Sequence, residues 1–511
     1  MSAIALTLVF FIFYLLNWQF HRRRLLPLPP GPNPYPIIGN LFHIPRKTNP
    51  GERFLAWSKS YGEIIYMHVF GREFVVLNSS KAALELFDHR GAFYSDRPHL
   101  VMAGDLVGRG DSVLFHQYGD QLRKHRKLLR NALNSHKSTE YWSMQELESW
   151  KLMSALIKNP NDFIDLLRRN AGAVTLRMTY GYEIESYTEE DRFITLAEEL
   201  AGITTKASEP GYWLVDSFQW LQYIPTWFPG AGFRRWALWA RQKSEEFTNA
   251  PYDFAKAHAA NGSGLHSFTT ETYESLQEER GLGSMPIGEE DEKLLKWTAA
   301  SIYAGGTDTT VALITAFYLY MVLYPDVQRK AQAEIDEVVG RDRLPTMEDE
   351  KRLPYIGALI KELHRFNPIV PLIPHSTSCQ DEYRGYRIPK GAWIMANSWA
   401  IMRDPNEFPD PNKFWPERYL EGHTTVDPRD YSFGYGRRRC PGMHFANSSI
   451  FITVAHTLAV LSISPPSDPT DRPLLDFSYG HVSHPKPFQC NIQPRSAAVA
   501  DLVYQVLADH S

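Results

Sequence analysis

The sequence predicts a mainly α-helical protein with small β-sheets, built as one large domain behind an N-terminal transmembrane helix. Three observations support this fold class. Helical periodicity dominates from about residue 80 to residue 370, short strand-like runs stand near each end, and the first twenty residues carry no charge. The chain has 511 residues, of which 43% are hydrophobic and 22% charged, which is normal for a globular protein with a sizeable core.

The first twenty residues, MSAIALTLVFFIFYLLNWQF, predict a membrane anchor. As a helix they would span roughly 30 Å, about the hydrocarbon thickness of a bilayer. A cleaved signal peptide is the alternative, but it carries positive charge before its apolar run, whereas HRRR (21–24) follows this one. The positive-inside rule then leaves the bulk of the protein on the cytosolic side. We therefore expect a single-pass anchor over residues 1–20.

A basic, proline-rich stalk is predicted over residues 21–36, and the single large domain over residues 37–511. The segment LPLPPGPNPYP (26–36) cannot sustain a helix, and its prolines favour an extended, semi-rigid spacer. Strand-like runs are IIYMHVF with EFVVLN, and later YRIPK with AWIMAN. Between Ala259 and Glu292 the chain is polar and glycine-rich, which predicts a solvated loop before a long helix with an acidic first turn.

Composition excludes some classes of function. The net charge of −4 predicts no general affinity for nucleic acid. Three cysteines, at 379, 440 and 490, cannot form a disulfide framework and lack the spacing of a structural zinc site. A reducing compartment fits this cysteine usage best.

Cys440 lies in the constrained stretch FGYGRRRCPG, residues 433–442. Four interpretations compete: a buried structural cysteine, a catalytic nucleophile, a zinc ligand, and a thiolate ligand to haem iron. Gly436 and Gly442 allow close backbone approach, and three neighbouring arginines supply the positive charge that a thiolate needs. From the chemistry alone, the haem thiolate and the structural cysteine are equally favoured.

Phe433, Gly436, Arg438, Cys440 and Gly442 reproduce the pattern F-x-x-G-x-R-x-C-x-G, and by it the chain resembles the cytochromes P450. The resemblance implies a haem (iron protoporphyrin IX) as cofactor, with Cys440 as the ligand of its iron. It also implies O2 as a co-substrate.

Two further motifs match the family in order. In KELHR, Glu362 and Arg365 match E-x-x-R, and Arg418 of FWPERYL matches the arginine that completes a buried, structural triad. In AGGTDTT (304–310), two adjacent glycines cost about 1 kcal/mol each in a helix, so they need a reason.

The glycine pair, Gly305 and Gly306, is expected to leave room for the macrocycle and for a diatomic ligand. Asp308 and Thr309 would lie at a local widening of the helix, and the resemblance makes them the catalytic pair that delivers protons for oxygen activation. The alternative is a kinked helix with a hydroxyl capped on its own backbone.

Haem-propionate contacts are implied for Arg126, Arg438 and, less directly, His375. The basic stretch QLRKHRKLLR stands where the family carries W-R-x-x-R, but Leu122 replaces the tryptophan, so one donor is missing. The alternative for this stretch is an ordinary solvated helix face.

The resemblance implies a monooxygenase that inserts one oxygen atom into a lipophilic substrate. No G-x-G-x-x-G fingerprint opens a βαβ unit, so electrons are expected from a separate, membrane-bound NADPH-cytochrome P450 reductase. Substrate-pocket walls are expected over residues 98–115, 212–233 and 477–482, among others.

Two stretches, VDSFQWLQYIPTWFPGA and FGYGRRRCPGMHFA, resemble fungal cytochromes P450 of the O-methylsterigmatocystin oxidoreductase-like group. This resemblance implies fungal secondary metabolism at the endoplasmic reticulum membrane, with a terpenoid as the first expectation. The alternatives are an aromatic polyketide or an indole substrate, or a non-oxygenating haem-thiolate isomerase or dehydratase.

Overall fold

Helices form most of the fold. The computed structural model describes residues 26–45, 48–260, 266–283, 285–478 and 480–510. The predicted anchor over residues 1–20 lies outside this range. The α-helices described are α1 Pro50–Tyr61, α2 Ser80–Leu84, α3 Asp120–Leu133, α4 Ser135–Glu140, α5 Trp142–Lys158, α6 Phe163–Tyr180, α7 Arg192–Ala207, α8 Leu214–Ser217, α9 Gly232–Ala260, α10 Phe268–Glu279, α11 Glu289–Leu323, α12 Pro325–Val338, α13 Pro354–Phe366, α14 Ser398–Ile401, α15 Arg429–Ser432, α16 Met443–Val460 and α17 Ala497–Asp509.

The strands are short and make small sheets. They are β1 Ile64–Val69, β2 Arg72–Leu77, β3 Leu372–Ser376, β4 Asp381–Tyr383, β5 Tyr386–Ile388, β6 Trp393–Asn397, β7 Leu461–Ser464 and β8 Asn491–Pro494. One four-stranded sheet has the order β1-β2-β6-β3, and β4-β5 and β7-β8 form two-stranded sheets. The prediction of a mainly helical domain with small sheets is confirmed.

Two of the predicted strands pair differently from the expectation. The run AWIMAN supplies β6, which pairs parallel with β2 and antiparallel with β3. The run YRIPK supplies β5, which pairs only with β4 through the two-residue turn Arg384–Gly385. Both turn residues have positive φ (52° and 79°), which matches the twist of a tight hairpin. Local turn geometry therefore separates the two runs into different sheets.

The long helix α11 runs through the core. Its C-terminal half is buried almost continuously from Val311 to Val322. Tyr318 stacks on Phe163 of α6 with ring centroids 5.6 Å apart, and its hydroxyl lies 3.3 Å from Thr457 of α16. Among the described residues, α11 alone is long and apolar enough to cross a membrane, but most of that stretch is buried inside the protein. Here α11 is a core helix.

Part of the predicted stalk is docked on the domain. The Pro30 carbonyl accepts a hydrogen bond from Tyr66 N (2.9 Å), and the Pro27 carbonyl accepts one from Arg387 N (2.8 Å). A Cβ at Gly31 would lie 1.8 Å from the Tyr66 carbonyl oxygen, so the chain passes directly against β1. Residues 27–31 are extended, as their prolines predict, and they are held by the sheet.

The predicted solvated loop between Ala259 and Glu292 contains a helix, α10. Its first turn is a capping box in which Ser267 and Thr270 satisfy each other's backbone N–H groups. Phe268 and Leu276 bury its apolar side, since both are less than a tenth exposed. Polar composition concealed this helix because only a few apolar residues contact the core.

Candidate functional site

Cys440 is held at the entrance to α16 by the backbone around it. Its amide donates to the Phe433 carbonyl at 2.7 Å, which closes the loop between α15 and α16. Gly436 takes a positive φ of 50°, and a Cβ there would lie 2.1 Å from the Phe87 carbonyl oxygen. Gly442 is the residue before the first turn of α16, and its N–H points at the Cys440 sulfur. Gly436 is thus required because a side chain would not fit, and Gly442 contributes a hydrogen bond to the sulfur.

Burial raises the pKa of the Cys440 thiol, while the Gly442 amide and the charges of Arg126 and Arg439 act in the opposite direction. All three adjacent arginines were expected to supply charge to the thiolate. Of them, only Arg439 acts on the sulfur. Arg437 instead contacts the Tyr118 hydroxyl at 2.5 Å. Since burial dominates, a cation at the sulfur is needed to hold a thiolate, and haem iron is such a cation.

A cluster of cationic side chains lies beside the cysteine loop, and we name Arg97, Arg126 and Arg438 the arginine cluster. Arg438 donates to the carbonyls of Ser95 (2.7 Å), Val113 (3.3 Å) and His116. Arg126 donates to the Arg439 carbonyl at 3.0 Å, and Arg97 donates to the Pro374 carbonyl. Within the described ranges none of the three forms an ion pair with a carboxylate, although each approaches another of the cluster.

The electrostatics of this cluster fit an anionic cofactor. Burial, together with the neighbouring Arg97, lowers the pKa of Arg438 to about 9, and burial with Arg126 lowers that of Arg97 to about 10. The Arg97 Nε atom is buried without a hydrogen-bond partner. Asp96 is the one carboxylate that acts on Arg438, and it forms no ion pair with the cluster. Partly compensated buried charges are costly, so the cluster favours further counter-charges, and the two propionates of a haem supply them. The residues therefore fit the group.

Arg97 is a cluster member that the sequence analysis missed. It stands just before Pro98 in a loop, and no local pattern distinguishes it from other loop arginines. Arg126, by contrast, lies where the motif places it, on the inner face of α3. Leu122 is buried in place of the family tryptophan, and Arg123 points outward, where it pairs with Asp120.

His375 lies on β3, with its ring 4.1 Å from that of Phe87. Its Nδ1 lies 2.7 Å from the Tyr94 carbonyl, and its Nε2 is buried without a partner. Burial, and then the charge of Arg97, hold the pKa of His375 well below its usual range. A neutral ring that donates from Nδ1 has only a lone pair at Nε2. His375 can thus donate to a carboxylate only as an imidazolium, a form that a nearby carboxylate favours.

The two glycines of AGGTDTT face different neighbours. A Cβ at Gly305 would meet nothing within 4 Å, whereas one at Gly306 would lie 3.0 Å from two side-chain atoms of Thr175 on α6. Gly305 therefore borders open space, as expected for a cofactor groove. The absence of a side chain at Gly306 also allows the close packing of α11 against α6, and its place in the cofactor groove stays a prediction.

Thr309 lies one turn after Gly305 and is bonded to it. The Thr309 hydroxyl donates to the Gly305 carbonyl at 2.7 Å, and α11 is a continuous α-helix through this point. The predicted widening of the helix is thus not seen. The Thr309 hydroxyl is instead capped on the backbone of its own helix, as the alternative interpretation predicts. The Thr309 side chain is half-buried, and its oxygen remains able to accept a hydrogen bond.

Asp308 has a partner that the sequence analysis missed. Its Oδ1 lies 2.9 Å from Nε2 of His484. His484 closes a loop with Ser478: the Ser478 N–H donates to the His484 carbonyl (2.7 Å), and the His484 N–H donates to the Ser478 hydroxyl (3.0 Å). The two side chains are 176 positions apart in sequence, so only the fold brings the ring to the carboxylate.

Glu362, Arg365 and Arg418 meet in a fully buried triad. Arg365 forms two hydrogen bonds with Glu362, at 2.7 and 2.8 Å, and the Arg418 Nε lies 3.2 Å from the same carboxylate. Glu362 also accepts from Trp415 N at 2.8 Å. Each arginine further donates to carbonyls of residues 402–413. The triad thus fastens α13 to the segment that precedes the cysteine loop.

Comparison with known proteins places this geometry in one family. The family model described as "Cytochrome P450" matches residues 29–492. The cytochrome P450 monooxygenase claR of Ampulloclitocybe clavipes is 41% identical over 97% of this chain and 91% of its own length. A cytochrome P450 monooxygenase of Armillaria gallica is 39% identical over 99% of this chain and all of its own length.

Two further similarities are informative. The tryptamine 4-monooxygenase of Psilocybe cyanescens is 36% identical over 97% of this chain and 98% of its own length. A solved zebra fish cytochrome P450, in a structure with abiraterone, has the same fold with a TM-score of 0.68 at 22% identity, over 88% of this chain and all of that one. The chain therefore belongs to the cytochrome P450 family of monooxygenases, whose cofactor is a haem held by a cysteine thiolate.

Proposed function

We propose that this protein inserts one oxygen atom of O2 into a lipophilic fungal secondary metabolite, with a terpenoid as the first candidate. The observation that carries the proposal is the placement of a half-buried Cys440 next to the arginine cluster, whose three members form no ion pair with a carboxylate among the described residues. A thiol ligand and a cradle for two carboxylates are the two features that a haem needs from its protein.

In this proposal Cys440 is the iron ligand, and the arginine cluster with His375 binds the propionates. Gly436 and Gly442 shape the ligand loop, Phe433 closes it, and Gly305 leaves room on the opposite side. A haem bound here supplies the reductive activation of O2, in which two electrons and two protons convert one oxygen atom to water while the other enters the substrate. Glu362, Arg365 and Arg418 act structurally.

Asp308 and Thr309 supply the protons. The Thr309 hydroxyl, held by the Gly305 carbonyl, presents its oxygen on the open side of α11. The Asp308 carboxylate lies one residue earlier and is oriented by His484. Asp308 takes protons from solvent through this half-buried site and passes them toward Thr309. An isomerase or dehydratase would not need this pair, which counts against that alternative.

An indole is the second candidate substrate. The relative named tryptamine 4-monooxygenase matches nearly the whole chain, and its name specifies an indole amine. An aromatic polyketide remains the other alternative from the sequence. A panel of terpenoids, indoles and aromatic polyketides in reconstituted turnover separates the three.

The electron donor is proposed to be a separate NADPH-cytochrome P450 reductase. Arg437 and Arg130 are exposed on the side of the cysteine loop and of α3, and neither forms an ion pair with an acidic residue in the described part of the chain. Such a basic surface suits an acidic redox partner.

We further propose that the protein is anchored by residues 1–20 in the endoplasmic reticulum membrane, with its catalytic domain in the cytosol. Exposed aromatic side chains support this placement: Trp227 is 79% exposed and Tyr223 78%. Phe218 of the same segment packs on Phe70 at 5.5 Å, and the Phe70 N–H reaches the Ile38 carbonyl. The segment that carries these aromatic side chains thus contacts the N-terminal end of the domain through Phe218, which supports a membrane surface on this side.

A reduced carbon monoxide difference spectrum tests the central proposal. The full chain is expected to show a strongly red-shifted Soret band that Cys440→Ala abolishes. With reductase, NADPH and O2, the wild type should then oxidise a compound from the substrate panel. A haem spectrum indifferent to Cys440 would overturn the assignment of the ligand. Protease access to a C-terminal tag in intact microsomes tests the cytosolic orientation.

A further inference from the structure

Arg109 is a buried guanidinium that the proposed chemistry does not use. It lies in the segment 98–115, predicted from sequence to form a pocket wall, and only 3% of its surface is exposed. Its Nε and Nη1 atoms are buried without hydrogen-bond partners. Burial lowers the pKa of Arg109 to about 10, which still leaves the side chain charged at neutral pH.

The surroundings of Arg109 hold it in place without neutralising it. Its guanidinium carbon lies 5.9 Å from the ring centre of Phe247 on α9 and 6.0 Å from that of Trp297 on α11. Aromatic faces attract a cation, but they leave its N–H edge without acceptors. The acidic residues of the same segment are engaged elsewhere: Asp105 contacts His99 (3.2 Å) and Asp111 pairs with Lys293 (2.8 Å).

Further unpaired donors border the same region. The Ser112 hydroxyl, three residues after Arg109, is buried without a partner, and so is the Ser244 hydroxyl, one turn before Phe247 on α9. A buried charge and buried hydroxyls without partners each cost free energy. An acceptor group bound next to Arg109 would offset the cost of the unpaired guanidinium.

The position of Arg109 relates it to the oxygen-activating residues. The Val113 N–H donates to the Ser301 hydroxyl at 3.1 Å, which fastens the segment to α11. Trp297 and Gly305 are eight residues apart on this helix, a distance of about 12 Å along its axis. A molecule with its polar end at Arg109 and its reacting carbon near Gly305 and Thr309 therefore has a length of roughly that size.

We propose that Arg109 binds the carboxylate of the substrate, so that the enzyme acts on a lipophilic carboxylic acid. This inference rests on the proposed monooxygenase function and names its substrate class. The guanidinium fork pairs with both oxygens of a carboxylate, and the hydroxyls of Ser112 and Ser244 are further donors without partners on the elements that border Arg109. The apolar remainder of the molecule then extends along α11.

Binding of a matched acid and ester tests the proposal. The haem-loaded full chain is titrated at pH 7.5 with farnesoic acid and with methyl farnesoate, and affinity is measured by the Soret shift and by thermal stabilisation. The wild type is expected to bind the acid about tenfold or more tightly than the ester, because only the acid neutralises the guanidinium. Arg109→Met should remove this preference, and Arg109→Lys should keep part of it.

The matched control is Arg123→Met, which removes an exposed arginine that pairs with Asp120 and should leave the preference unchanged. Without ligand, Arg109→Met should melt at or above the wild-type temperature, since it removes an unpaired buried charge. If Arg109→Met melts at a lower temperature than the wild type, the binding preference of Arg109→Lys is the deciding measurement. A site that depends on the positive charge keeps a preference for the acid over the ester in that variant.

Three results overturn the inference: equal wild-type affinity for acid and ester, a preference that survives Arg109→Met, or stabilisation by sodium acetate or chloride equal to that by farnesoic acid. The last result would make the site one for small anions. An acid preference that depends on Arg109, in a protein whose spectrum does not depend on Cys440, would refute the proposed function and leave this site intact. Thiolate haem and turnover without acid preference would refute only the inference.

Discussion

Cys440 illustrates how single residues define the proposed haem site. Its loop is held by a backbone hydrogen bond to Phe433 and by the close passage of Gly436 against Phe87. The glycine is needed for two reasons, a positive φ and a missing Cβ. The positive φ and the lack of room for a Cβ are separate requirements. Alanine substitutions at two glycines, one with both requirements and one with the positive φ alone, distinguish their effects.

We expect Gly436→Ala to destabilise the protein strongly and to reduce its haem content. The new methyl group would lie 2.1 Å from a backbone oxygen, and backbone cannot move aside as a flexible side chain can. Gly422→Ala is the control: φ there is 73°, but a Cβ would meet nothing within 4 Å, so only the backbone strain of about 1 kcal/mol remains. Thermal melts and haem absorbance compare the two. Equal losses would show that strain, and not the contact, explains Gly436.

His484 is expected to act as a positioning residue for Asp308. Loss of the 2.9 Å contact in His484→Phe should free the carboxylate and lower the yield of product per NADPH roughly tenfold, with more hydrogen peroxide released. Asp308→Asn should show at least the same loss, and the double variant no more than Asp308→Asn alone. His266→Phe, which changes a histidine with a 78% exposed side chain, is the control. If the losses caused by the two substitutions add up in the double variant, His484 does not act through Asp308.

At the scale of elements, the triad joins α13 to the chain that leads to the cysteine loop. Its i, i+3 spacing is common on protein surfaces, where such pairs contribute little. Burial increases the energetic cost of breaking this ion pair, since Glu362 and Arg365 are both fully inaccessible to solvent. Removal of one partner leaves a charge stranded in the core.

Arg365→Met is therefore expected to cost about 3–5 kcal/mol of unfolding free energy. The matched control is Arg168→Met, which breaks an i, i+3 pair with Asp165 at the same 2.7 Å, but one whose side chains are 43% and 65% exposed. That change should cost under about 1 kcal/mol. Urea denaturation of the full chain measures both, with haem retention as a second readout. Similar costs in the two variants would contradict a structural role for the triad.

At the scale of the whole molecule, buried neutral histidines set the acid limit of stability. Burial lowers the pKa of His456 from its ordinary 6.5 to about 4, and burial with the neighbouring His116 does the same for His125. Below pH 6.5 the unfolded chain takes up protons at these positions while the folded chain does not. The contribution of each such histidine is thus constant above pH 6.5, and we expect it to lower the free energy of unfolding by about 1.4 kcal/mol per pH unit between pH 6.5 and about pH 4.

His456→Gln tests this expectation away from the cysteine loop. Glutamine can still bond to Ser149, which lies 2.8 Å from His456 Nδ1, but it does not titrate. The variant should lose stability less steeply than the wild type between pH 6.5 and 4, by about 1.4 kcal/mol per unit. His266→Gln should follow the wild-type slope. An unchanged slope in His456→Gln would show that this histidine does not contribute to the acid limit.

Some elements of the fold could be predicted from the sequence and others could not. Periodicity predicted the helical middle and the central helix α11, because a long apolar repeat needs no partner to be recognised. It missed α10, whose few apolar residues stand in a polar stretch. It also joined YRIPK with AWIMAN, because strand propensity does not specify which strands pair.

The sequence by itself determined the family, the cysteine motif and the Glu362–Arg365 pair, because each depends on a short spacing within one segment, and the resemblance to the family added Arg418. Only the tertiary structure decided that Gly306 packs against Thr175, that Arg97 joins the arginine cluster and that His484 reaches Asp308. It alone shows Arg109 as a charge without a carboxylate partner in the described chain. The physical reason is that burial and contact between distant segments fix the energy of a charge, and neither can be read from local spacing.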